Sequence, residues 1–143
     1  MEREFLPFLQ YIIRQLEKSG IVKNFIRIGI RYIDFFATDI FEKITLSIKL
    51  NDKPLVAKQT TISTIFEHDE LITRVNIQNN TVIIRNNKQS HGSIIDTDTF
   101  FEPKHNSSFE ELIEMIDKQH DVSLNVFFDL LKPDFLETLN PEY

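Results

Sequence analysis

Residues 92–131 change their hydrophobic period from two to about 3.6, and that change restricts the fold more than any other feature of the chain. Gly92-Ser93-Ile94-Ile95-Asp96-Thr97-Asp98-Thr99-Phe100-Phe101 reads as a strand over 93–102, with Asp96 and Asp98 on one face. Ser107-x-x-Glu110 and Ser108-x-x-Glu111 then offer two capping boxes for a helix from about Phe109 to Leu131. Its apolar stripe is Phe109, Leu112, Ile113, Ile116, Leu124, Phe127 and Leu131, and His120 falls on the same stripe. Acidic residues crowd its first half, near the positive end of the helix dipole. Pro133 ends the helix, and Phe135, Leu136 and Leu139 predict a last turn folded back on the body.

The rest of the chain supplies more strands and one more helix. Phe5, Phe8, Leu9, Ile12, Ile13 and Leu16 recur at three-and-four spacing, which predicts a helix over 5–18 that Gly20 stops. The β-branched run over 21–33 predicts a strand with Arg27, Gly29 and Arg31 on one face and Ile28, Ile30 and Tyr32 on the other. Clean alternation predicts another strand from Ile44 to Leu50, ending at an Asn51-Asp52 turn, and residues 55–66 predict a third. Leu71 to Gln78 and Thr81 to Arg85 flank Asn79-Asn80, the signature of a tight hairpin, with a loop over 86–92 beyond. Strands in a run with helices at the ends predict one α+β domain over 1–143: an antiparallel β-meander of about five strands, with an N-terminal helix and a long C-terminal helix packed on one face.

Composition excludes several classes. The 143 residues contain no cysteine, so disulfide scaffolds, thiolate metal sites and cysteine nucleophiles are out. Three glycines leave no phosphate-cradling loop and no nucleophile elbow, and the expectation is no cofactor and no clear enzyme signature. No run approaches the roughly 20 apolar residues of a membrane helix, and Met1-Glu-Arg-Glu lacks a secretion signal's basic start, which predicts a cytoplasmic protein with no membrane partner. From Lys104 onward three lysines face nine acidic residues, so this segment carries the whole net charge of −6. A helix of that sign is no surface for a phosphate backbone, and its charges are the solvated side of an amphipathic helix.

Two arrangements suit Asp96 and Asp98, which stand about 7 Å apart on one strand face, given two rises of about 3.3 Å. The pair can hold a hard cation such as Mg²⁺ for phosphoryl transfer or hydrolysis. Alternatively it faces Arg27 and Arg31 on a neighbouring strand as a ladder of opposite charges, the reading favoured here because a bare Asp-x-Asp recurs by chance. His91, His105 and His120 lack zinc-ligand spacing, with His91 and His105 in loops. His120 becomes a site residue if it meets Asp96 or Asp98 across the helix–sheet interface.

The blocks Arg27-Ile-Gly-Ile-Arg-Tyr-Ile-Asp34 and Gly92-Ser-Ile-Ile-Asp-Thr-Asp-Thr99, with the helix through His120 to Phe127-Phe128, resemble the C-terminal half of a sporadically distributed prokaryotic family of uncharacterised proteins. Its members show RIGLRYIN-like and LDID-like strands and a helix with a histidine shortly before an aromatic. Asp34 stands where those proteins tend to have Asn, and Thr97 where they tend to have an aliphatic residue. The resemblance implies longer relatives, with an N-terminal half absent here as in a shortened form or a fragment, and it implies no catalytic residues. Its sporadic distribution suggests a defence or toxin–antitoxin-like locus. The functional expectation is a non-catalytic protein-interaction module that binds another chain or itself as a homodimer; the alternatives are the Asp96/Asp98 metal enzyme and a small-molecule pocket between the sheet and the final helix.

Overall fold

The computed structural model describes residues 2–55, 57–103 and 107–139, with the side chains of residues 2–6 and 85 outside that description, Phe5 among them; His105 also lies outside it. Helix α1 (Glu2–Ser19) ends at Gly20, whose φ of 63° is the left-handed stop expected from its sequence. Strand β1 (Ile28–Phe36) and one 3₁₀ turn (Ile40–Glu42) follow, then the two-residue strands β2 (Lys49–Leu50) and β3 (Lys53–Pro54). Strands β4 (Thr61–His68), β5 (Leu71–Arg85) and β6 (Lys88–Phe101) lead to α2 (Phe109–Leu130) and α3 (Pro133–Thr138).

The main sheet is antiparallel in the order β1-β6-β5-β4, and β2 and β3 form a separate pair. Three successive strands therefore meander, and β1, first in sequence, pairs with β6, the last. The architecture is α+β, with four main strands where about five were expected. Among the described residues no helix is long and apolar enough to cross a membrane.

Several boundaries moved through tertiary contacts, and the strand expected over 55–66 forms as β4 from Thr61 to His68. The first strand begins at Ile28, not at residue 21, because its partner β6 ends at Phe101, opposite Ile28. The expected strand from Ile44 to Leu50 forms only a single bridge, Ile44 to Leu131, and the two residues of β2. Its backbone bonds go elsewhere: Thr45 N–H donates to Leu130 O at 2.7 Å, and Lys132 N–H to Lys43 O at 2.8 Å. The hairpin expected at Asn79-Asn80 is a bulge inside β5, where those two residues oppose Ser93 alone. The hairpin turn lies at Asn86-Asn87, whose φ values of 50° and 59° supply the two left-handed residues that a tight hairpin requires. His91 consequently sits within β6, not in a loop.

Asn79 is spoken for by tertiary contacts. Its side chain accepts from Thr60 N–H at 2.7 Å and donates to Asp39 at 2.9 Å. Opposite the bulge, the Ser93 hydroxyl donates to Thr38 O and accepts from Ile40 N–H, at 2.7 and 3.0 Å. These bonds hold the 3₁₀ turn against the sheet, so that Ile40 and Ile44 enter a core cluster with Val75, Ile77, Ile95 and Leu131. A second cluster (Ile13, Ile30, Ile116) and a third (Leu71, Phe101, Leu112) lie beneath the first half of α2.

Of the two capping boxes in the sequence, the second forms. Ser108 Oγ accepts from Glu111 N–H at 3.2 Å, and the Glu111 carboxylate accepts from Ser108 N–H at 2.8 Å. Ser108→Ala should therefore destabilise the protein by about 1 kcal/mol in urea unfolding, while Ser107→Ala should leave the midpoint nearly unchanged.

Candidate functional site

Strand alternation gives β6 two unlike faces. Ser93, Ile95, Thr97, Thr99 and Phe101 are buried toward α2, while Ile94, Asp96, Asp98 and Phe100 point outward. On the outward side both carboxylates meet guanidinium groups. Arg31 donates through Nε and Nη2 to the two oxygens of Asp96, at 2.8 and 2.7 Å. Arg27 Nη2 donates to both oxygens of Asp98, at 2.9 and 2.7 Å. The pairing is diagonal, since the residue directly opposite Arg31 is Asp98.

Arg27 precedes β1 and must fold back across the strand to reach Asp98. Gly29 leaves that path open: a Cβ there would stand 3.0 Å from Phe100 Cβ and 3.2 Å from Arg27 Nη1. In crossing, the guanidinium carbon of Arg27 comes 4.2 Å from the centre of the Phe100 ring, and that of Arg74 lies 5.1 Å from it. Phe100 is thereby 3% exposed on a face that no helix of the described fold covers. Removing the guanidinium in Arg27→Ala takes away an ion pair and a cation–π contact together. The expected loss is about 1 kcal/mol, read from the urea midpoint.

Beneath α2 the chemistry is different. The buried positions of that helix are Leu112, Ile116, Gln119 and Ser123, so a helix stripe that starts apolar turns polar at its middle. Facing it are Thr73 on β5 and Thr97 and Thr99 on β6, all fully buried. A chain of hydroxyls links the layers: Thr73 Oγ1 to Thr99 Oγ1 at 3.0 Å, and Thr99 Oγ1 to Ser123 Oγ at 2.8 Å. Gln119 Nε2 donates to Ile28 O at 3.1 Å. A polar belt thus crosses the core between its apolar clusters.

Two atoms of that belt have no hydrogen-bond partner among the described residues, Thr97 Oγ1 and Gln119 Oε1. Thr97 lines a pocket of about 150 Å³ with Tyr32, Asp34, Ser123, Leu124, Phe127 and Phe128. Tyr32 and Asp34 reach it because they alternate onto the inward face of β1, with Tyr32 directly opposite Thr97. At its edge the Tyr32 hydroxyl and His120 Nδ1 are 2.8 Å apart. Asp34 is half-buried without a hydrogen bond or ion pair among the described residues, and burial pushes its carboxyl above the ordinary aspartate range. Three larger surface recesses, one beside the start of α2, one beside β3 and one between the β4–β5 turn and α2, contain no buried polar atom without a partner among the described residues.

The residues singled out in the sequence therefore fall into two places. Arg27, Arg31, Asp96 and Asp98 come together on the outward face, each carboxylate oxygen engaged by a guanidinium. His120 lies on the other side of the sheet, paired with Tyr32, and does not meet Asp96 or Asp98. His91 is exposed, 3.3 Å from Gln89. Among the described residues no group of three or more His, Asp and Glu side chains is disposed to hold a metal ion. The site residues not singled out from the sequence are Tyr32, Asp34, Thr97, Gln119 and Ser123. Their signal was present: Thr97 shares the face of Ile95, and Gln119 and Ser123 continue the spacing of Leu112 and Ile116.

No family model, no curated protein and no solved structure matches this chain. Function is therefore read from the geometry alone.

The shift at Asp34 has a definite sign. A carboxyl whose folded-state pKa is raised favours the folded state least when ionised, so its destabilising effect grows as pH climbs from 3.8 through the raised value. Asp34→Asn keeps the shape and removes the charge. The variant should melt higher than the parent at pH 7, and the difference should shrink toward zero as the pH falls to about 3.8; a difference that is flat with pH would rule out an uncompensated charge at Asp34.

Proposed function

We propose that this chain is a non-catalytic binding domain whose ligand is a small polar molecule seated between β1, β6 and α2. The observation that carries this reading is Thr97: a fully buried hydroxyl without a partner among the described residues that lines a pocket also holding a carboxyl unpaired among them. An unsatisfied buried hydroxyl costs about 1–3 kcal/mol, and valine would fill the same space without that penalty. Threonine at this position makes physical sense when something enters the pocket and bonds to it.

Thr97→Val separates binding from stability. The variant should be more stable than the parent by about 1 kcal/mol, and it should lose ligand binding. Binding is read from backbone amide shifts in NMR spectra while small polar molecules are titrated into the full chain. Shifts confined to the strands and helix around Tyr32, Thr97 and Ser123, and absent in Thr97→Val, support the pocket. A broad collection of such molecules that moves none of these signals at millimolar concentration would remove it.

A second reading, a protein-interaction module that pairs with its own copy, is favoured by α1. That helix buries Ile13 against Ile30 and Ile116, but leaves Phe8 61% exposed, Tyr11 60% and Ile12 37%. Positions i, i+3 and i+4 make one continuous uncovered stripe, and a stripe meeting its symmetry mate is self-complementary. Light scattering should then show a dimer at high protein concentration that Phe8→Glu converts to monomer; a monomer at every concentration would end this reading.

A further inference from the structure

From the contents of the pocket we infer that its ligand is a small organic cation, a primary ammonium carrying a short apolar chain, an assignment that rests on the pocket being a binding site. Charge is the first reason. Among the described residues Asp34 is the one charged side chain that lines the pocket, and Arg27 and Arg31 lie on the opposite face of the sheet, committed to Asp98 and Asp96. An anionic ligand would meet a carboxylate and no compensating cation there. A cationic one supplies the missing partner in a half-buried setting, where a charge-assisted hydrogen bond is about twice as strong as a neutral one.

Hydrogen-bond stoichiometry is the second reason. An ammonium has three N–H donors and no acceptor, and the unpartnered atoms here include a carboxylate and a hydroxyl oxygen, both of which accept. One N–H satisfies Asp34 and another Thr97 Oγ1. Asp34 sits two residues beyond Tyr32, whose direct cross-strand partner is Thr97, so the two acceptors are diagonal neighbours on the same face. One nitrogen between them serves both.

The walls supply the third. Tyr32, Phe127 and Phe128 contribute aromatic rings, the last two with centroids 5.7 Å apart, and aromatic rings are the apolar surface that tolerates a nearby cation best. Leu124 adds aliphatic surface for a chain. A volume of about 150 Å³ equals roughly five waters at ~30 Å³ each, which suits an amine with a few carbons and is too small to enclose a nucleotide.

Three probes of one shape decide the matter: butylammonium, butyramide and butyrate, each titrated into the full chain at pH 7 and followed by amide shifts. Butylammonium should move the signals of Asp34, Thr97 and Ser123 saturably, and butyrate should not. Asp34→Asn should weaken butylammonium by about tenfold or more while its spectrum stays that of the folded parent. Leu124→Trp, which fills the cavity, should abolish the effect of every probe. If butyramide or butyrate binds as well as the amine, or Asp34→Asn holds butylammonium undiminished, the cation assignment is overturned and the pocket stands. If none of the three moves a pocket signal in the parent chain, the cation assignment is overturned, and the wider collection of polar molecules then decides the pocket on its own.

Discussion

The hydroxyl chain from Thr73 through Thr99 to Ser123 decides where α2 lies on the sheet, and the rest of the inward face follows from that placement. Apolar contacts between a helix and a sheet are non-directional and tolerate sliding. A buried hydrogen bond does not, because moving the helix by a fraction of a turn would strand the Ser123 hydroxyl at a cost of about 1–3 kcal/mol and leave Thr99 only its bond to Thr73. With Ser123 held over Thr99, Leu112 and Ile116 reach the apolar clusters on one side, and Leu131, just past the end of the helix, reaches the cluster of Ile40 and Ile44 on the other. Leu124 and Phe127 are carried over Tyr32 and Asp34 by the same placement, which makes the pocket.

The two faces of the sheet divide the ionisable groups. Period-two alternation sends Asp96 and Asp98 outward and Tyr32 and Asp34 inward, so carboxylates at adjacent register positions of paired strands have opposite fates. Outside, near water, each aspartate has an arginine, and Arg27 also shields Phe100. Inside, Asp34 has burial without a counter-ion, and its carboxyl is pushed up. The outward cluster binds β1 to β6 and covers an aromatic ring. The inward group contributes nothing to stability that the structure displays, and its burial makes its ionised form costly.

Much of this was legible in the chain itself. Local rules determined both long helices, the left-handed stop at Gly20, the capping signal before Phe109 and the two faces of β1 and β6, because each depends on residues within a turn or a strand of one another. The same period predicted that Arg27 and Arg31 share a face and that Asp96 and Asp98 do. Tertiary structure decided what local rules leave degenerate. Asn79-Asn80 and Asn86-Asn87 are equally good turns on paper; the first became a bulge because Asn79 bonds Thr60 and Asp39, partners 19 and 40 residues away. Likewise, periodicity places His120 and Gln119 on neighbouring positions of one helix without saying which is buried. Packing on β1 gave Gln119 the core and His120 the hydroxyl of Tyr32. Whether Thr97 has a partner and Asp34 a counter-ion depends on distances between strands and a helix remote in sequence, and so the residues that line the pocket were the tertiary structure's to decide.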